Sequence, residues 1–205
     1  MTAGRGLVSP RTRRTLAMVL AIIALAIYTT IMLILVTQDV DWLSDFEAYY
    51  SSSAHLASGG SLYMPEQLAG PFDAICERCY LYPPPFGQLL VPLTAVPLAA
   101  AKAIWFALML TSGWLSVWLA LSIGGAARTI ESAAWSLVAI AFYLPAFHSI
   151  WMGNVGTLLG LFVVMVALGG TLAGVGAALA TVLKVAPGTL VPVALVADRR
   201  SAISM

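Results

Sequence analysis

Charge is what this sequence has least of. Of 205 residues, 10 are Lys or Arg and 9 are Asp or Glu, while 60% are hydrophobic. A soluble domain carries roughly 25% charged residues, so a soluble globule is excluded and a multi-span helical membrane protein is indicated. The apolar stretches are continuous rather than alternating segments of about ten residues, which excludes a β-barrel. Cysteine is nearly absent too, with Cys76 and Cys79 the whole supply. Two thiolates cannot complete a four-ligand zinc site; in an extracytoplasmic loop they read as a local disulfide or two free thiols. His55 and His148 have no second ligand within reach and read as structural. The sequence shows no Gly-rich phosphate loop, Ser-His-Asp set, heptad or basic nucleic-acid patch. Neither a nucleic-acid partner nor a resident cofactor is expected, and the requirement for a metal is unknown from sequence.

The scarce charge is unevenly placed. Seven of the nine carboxylates (Asp39, Asp41, Asp45, Glu47, Glu66, Asp73, Glu77) fall in one hydrophilic stretch against a single Arg78. Arg5, Arg11, Arg13 and Arg14 precede the first apolar run, and Arg199 and Arg200 follow the last. The excess of positive charge on the cytoplasmic side predicts both termini inside and the acidic loop, 38–80, outside the plasma membrane. Residues 15–37 are 23 uncharged positions, longer than the roughly 7–15 of a signal-peptide core, and read as a retained anchor. Spans are expected at 15–37, 81–97, 98–123, 132–148, 155–168 and 171–197, giving an all-α, polytopic single module. In the loop, residues 41–58 predict an interfacial helix ended by Gly59-Gly60. Its Trp42, Phe46, Tyr49 and Tyr50 recur at helical spacing and are expected to face lipid. Residues 61–80 read as irregular, and Pro83-Pro84-Pro85 forces an extended approach to the next helix.

Two features carry chemistry. Asp39, Asp41 and Asp45 lie at the outer end of the first span, where a carboxylate suits a general base, a metal ligand or a proton relay. Asp41 and Asp45 are four apart and share a helix face, where like charges raise one pKa. The plainer reading is that these acids keep the loop wet. Lys184 falls at the middle of the last expected span, before Pro187. An ammonium there needs an anion, a carbonyl or a watery cavity, so it is expected to face the bundle interior. Lys102, near a span end, reads as snorkelling to the surface, and Gly169, Gly170, Gly174 and Gly176 as close helix packing.

Taken together the pieces resemble a known family. Asp45 with Tyr49 four positions on, then Gly59-Gly60-Ser61-Leu62-Tyr63, resembles the D-x3-Y…G-x-x-L-Y pattern of glycosyltransferase family 87. Tyr82-Pro83-Pro84-Pro85-Phe86, Val91-Pro92-Leu93, Pro97 and Trp105 follow in the family's order. Gly153-Asn154-Val155 stands where the family has Gly-Gln-x-Asn, and Lys184-Val185-Ala186-Pro187 matches its Lys-x-x-Pro. The resemblance covers roughly residues 15 to 200 and implies a GT-C-type membrane glycosyltransferase. Such an enzyme passes a sugar, mannose or another hexose or pentose, from a polyprenyl-phosphate donor to an envelope glycolipid or glycan hydroxyl on the outer face. By analogy Asp45 is the base of an inverting displacement, and Asp41, Tyr49, Tyr82 and Lys184 are substrate-binding candidates. Because family members are about twice this length, the chain is expected to be an N-terminal half, with a second chain as a candidate partner supplying the rest. The rival expectation is a non-catalytic membrane module that binds polyprenyl lipid or pairs with a full-length enzyme. A transporter ranks behind both, because the acids sit at one surface and no inverted repeat shows.

Overall fold

The computed structural model of the chain describes residues 9–37, 42–69, 79–185 and 188. Among them every regular element is helical, as expected. α1, Pro10–Thr37, begins where the Ser9 hydroxyl accepts the Thr12 N–H at 3.1 Å, with proline at the first helical position, where its missing N–H costs nothing. Ala17, Ala21, Ala24 and Tyr28 form its buried stripe. Small side chains at that spacing let α6 (Ile130–Phe142) approach closely, and Arg13 pairs with Glu131 at the start of α6. Ile22, Ile23, Leu33 and Ile34 of α1 are exposed apolar side chains suited to lipid.

α2, Ser44–Ala57, is the expected loop helix, and it is followed by the short α3, Pro65–Ala69, in a stretch expected to be irregular. The aromatic face of α2 points the other way from the expectation. Trp42, Phe46 and Tyr49 are buried, at 4%, 0% and 2% exposure, and pack on protein rather than lipid. Phe46 stacks on Trp105 of α5 (Leu98–Ile123) at a centroid distance of 5.0 Å. Helical spacing shows that these rings share a face; it cannot show what covers that face.

A single span over 81–97 is not what forms. The chain builds α4, Pro84–Leu90, and a 3-10 turn, Val91–Ala95, which pack on α2. Pro92 and Pro97 break the run, and seven α-helical residues rise only about 10 Å. The expected span 132–148 is likewise broken: α6 and α7 (Leu144–Met152) meet at a 73° bend at Tyr143-Leu144-Pro145. Residues 10–31 of α1 and the whole of α5 are long and apolar enough to cross a membrane, and the bent α6–α7 pair makes a third if taken as one.

α8, Gly156–Leu168, and α9, Gly170–Leu183, form a hairpin. Gly176 makes its tight contact possible, since a Cβ there would lie 2.6 Å from the Phe162 carbonyl oxygen. Thr157 meets Met109 and Gly113, and Gly160 meets Ser116, so α8 runs alongside α5 in the same direction. The hairpin therefore returns the end of α9 to the pole where α8 starts. Lys184 directly follows α9 there, rather than sitting midway along a helix as expected. The remainder of the expected last span lies outside the described residues.

Candidate functional site

The site is built around the first turn of α2, and three backbone features fix that turn. Leu43, fully buried, caps α2 in the left-handed region (φ 56°, ψ 39°), which costs a branched side chain of order 1–3 kcal/mol. Its N–H donates to the Trp151 carbonyl at 2.9 Å. Gly153 ends α7 at φ 74°, so close that a Cβ would stand 2.9 Å from that of Phe46. The Trp105 indole N–H then donates to the Gly153 carbonyl at 2.9 Å. The turn 151–154 is thus locked onto α2.

That lock places Asn154 against Asp45. The Asn154 Oδ1 accepts the Gly156 N–H at 3.1 Å, which turns the amide nitrogen toward α2. Nδ2 donates to the Asp45 carboxyl at Oδ2, at 2.7 Å. A longer contact of 3.4 Å runs from Nδ2 to the Tyr82 hydroxyl. The Tyr82 hydroxyl also receives the Tyr49 O–H at 2.8 Å. The rings of Tyr49 and Tyr82 meet edge-on at 4.8 Å, and Lys184 Nζ lies 5.7 Å from the Tyr82 centroid, within cation–π reach. Glu47, on the same helix as Asp45, pairs with Lys102 Nζ at 2.5 Å. Lys102 thus ties α2 to α5 rather than reaching for the surface.

Asp45, Tyr49, Cys79, Tyr82, Asn154 and Lys184 line one cavity of about 340 Å³. A second, of about 770 Å³, continues from it past Tyr82 and Lys184 along Tyr63, Leu68, Leu81 and Val185. Burial, above all, raises the pKa of both Tyr49 and Tyr82, and the negative charge of Asp45 adds to it. Both phenols therefore stay protonated across the physiological range. Among the described residues no three His, Cys, Asp or Glu side chains converge. The cavity's chemistry rests on one carboxylate, one amide, two hydroxyls and one ammonium.

The structure thus brings together Asp45, Tyr49, Tyr82 and Lys184, four of the five residues singled out from the sequence. The fifth, Asp41, lies outside the described residues, as does Asp39. Cys79 is disulfide-bonded, the first of the two expected alternatives; Cys76 lies outside the described residues. His55 and His148 are exposed and away from the cavity; His55 Nδ1 bonds the Ser61 carbonyl at 2.8 Å. Asn154 was missed as a site residue, although a polar side chain directly after a helix-ending glycine is a signal that can be read.

A helical membrane protein with a carboxylate-centred cavity at one pole is the class that fold and site define. Residues 80–205 match glycosyltransferase family 87, and the chain belongs to that family. It is a membrane glycosyltransferase by that membership. The matched stretch carries Tyr82, Asn154 and Lys184; Asp45 and Tyr49 precede it. Comparison with curated proteins and with solved structures yields no match.

Proposed function

We propose that the chain transfers a sugar from a polyprenyl-phosphate donor to a hydroxyl of an envelope glycolipid or glycan on the outer face, with Asp45 as the base. The observation that carries this reading is the Asp45–Asn154 bond at 2.7 Å within the cavity. One carboxylate oxygen is held by the amide. Among the described residues Oδ1 takes no hydrogen bond, so it remains for an acceptor hydroxyl. The acceptor oxygen attacks the anomeric carbon from the side opposite the phosphate and its proton passes to Asp45. The bond from the anomeric carbon to the phosphate oxygen breaks, and its electron pair stays on the phosphate. Such a leaving group needs no strong acid, so a positioned base and orientation are what the protein supplies. The adjoining larger cavity, with Leu68, Leu81 and Val185 on its walls, suits the hydrocarbon of a lipid-linked donor.

The test is transfer of labelled sugar by the full chain in membranes, from a panel of prenyl-phosphate-linked hexoses and pentoses. Label appearing in a glycolipid or glycan, with inversion at the anomeric carbon, supports the reading. Transfer from a nucleotide sugar but from no prenyl-phosphate donor overturns it.

A further inference from the structure

The hydroxyls around the cavity differ in what their protons do. A phenol has one proton to give and two lone pairs to receive. Tyr63 gives its proton to the Tyr82 carbonyl at 2.7 Å, Tyr80 to the Pro83 carbonyl at 2.8 Å, and Tyr49 to the Tyr82 hydroxyl at 2.8 Å. Tyr82 is the reverse case. Its oxygen receives Tyr49's proton and, at 3.4 Å, one from Asn154. Its own proton has no acceptor among the described residues. The nearby amide oxygen of Asn154 is already occupied by the Gly156 N–H, and Asp45 is bonded to Asn154 rather than to Tyr82. Tyr82 is therefore a hydroxyl oriented to donate.

Lys184 stands on the same wall, 5.7 Å from the Tyr82 ring centroid. It makes no ion pair among the described residues. A cation and an oriented O–H on one wall, with no acceptor between them, form a place for negatively charged oxygen. Asp45, on α2, carries the opposite chemistry in the same cavity.

We propose that the Tyr82 hydroxyl and the Lys184 ammonium form an oxyanion subsite that holds the donor's phosphate as it leaves, with Tyr49 setting the direction of the Tyr82 proton. This rests on the prenyl-phosphate reading above. Tyr82 keeps its proton throughout: burial and the charge of Asp45 raise its pKa, so it stabilises the growing phosphate charge by a hydrogen bond rather than by proton transfer. The acceptor's proton still goes to Asp45, and the bond-breaking electron pair to the phosphate oxygen.

The experiment measures binding of a short prenyl phosphate and of the prenyl alcohol of the same length to the full chain in nanodiscs. The wild type binds the phosphate more tightly. Tyr82→Phe and Lys184→Met each lower phosphate affinity about tenfold or more, as expected for bonds to a charged group, and leave alcohol affinity within about twofold. Tyr49→Phe, which releases the direction of the Tyr82 proton, gives a smaller loss for the phosphate alone. Equal losses for phosphate and alcohol mean a structural role and overturn the subsite, as does unchanged phosphate affinity in both Tyr82→Phe and Lys184→Met. Lys184 is exposed, so its variant reports even if the Tyr82 variant fails to fold. Failure of the wild type to bind either prenyl ligand overturns instead the donor reading on which the subsite rests.

Discussion

Asn154 Nδ2 lies 2.7 Å from Asp45 Oδ2, across 109 positions of sequence. The amide is not free to turn, because its oxygen is held by the Gly156 N–H. Asp45 therefore meets a donor of fixed direction, on a turn that Trp105 and Leu43 hold in place.

Removing the carboxylate proposed as base is the most direct test of the proposed function. Asp45→Asn keeps the shape of the side chain, so membrane yield is expected to match the wild type. Transfer falls about 10²–10⁴-fold, measured as initial rate per folded protein. Asp39→Asn, the charge control, retains most of its rate. Should Asp41→Asn abolish transfer while Asp45→Asn does not, the base lies one turn earlier.

Asn154→Asp puts a second carboxylate beside the first. Like charges at that distance raise the apparent pKa of the pair. A base works only when ionised, so activity is lost at higher pH than in the wild type and the acid limb of the pH–rate profile moves up. Asn154→Gln keeps an amide and is expected to leave that limb in place. Superimposable limbs for Asn154→Asp and wild type argue against contact between the two positions.

Trp105→Phe keeps the stack on Phe46 and deletes the indole N–H. The buried Gly153 carbonyl then loses its partner, at a cost of about 1–3 kcal/mol. Thermal unfolding in detergent is expected to shift down, and transfer to fall with it as the 151–154 turn loosens. An unchanged midpoint means that this bond does not hold the turn.

Gly176→Ala forces Cβ to within 2.6 Å of the Phe162 carbonyl, so α8 and α9 must separate. Overpacking of this kind typically costs about 1–3 kcal/mol. Because the hairpin carries Lys184, a loss of prenyl-phosphate binding is expected alongside a lowered unfolding midpoint. Gly169→Ala is the contrast: it meets no atom within 4 Å and tests backbone strain alone.

The arginine clusters and the acidic loop predict a further observable. Ser61, exposed on the loop, reacts as Ser61→Cys with an impermeant maleimide in intact cells. Labelling that needs permeabilised membranes reverses the orientation.

α5 was legible because its apolar run is bounded by Pro97 and Gly124, and it occupies 98–123 as expected. The failures share a cause. Length and hydropathy report that a stretch can be buried, not what buries it. The aromatic face of α2 therefore read as facing lipid when it faces α5, and 81–97 read as a span when its prolines cut it into α4 and a 3-10 turn. Four cavity residues were legible from chemistry and family pattern together. The partnership of Asp45 with Asn154 was not, since it depends on the left-handed Leu43 and Gly153, and backbone sign leaves little trace at a leucine.

The return of the α8–α9 hairpin to the pole of Asp45 also sets when the cavity can be assembled during synthesis. Asp45 is translated early, Asn154 only after α7, and Lys184 last of these, after α9. A nascent chain halted before the hairpin carries Asp45 with neither partner. Pairings this far apart in sequence form late because loop closure must come first. Premature or stalled products are expected to lack the assembled cavity and to be catalytically silent.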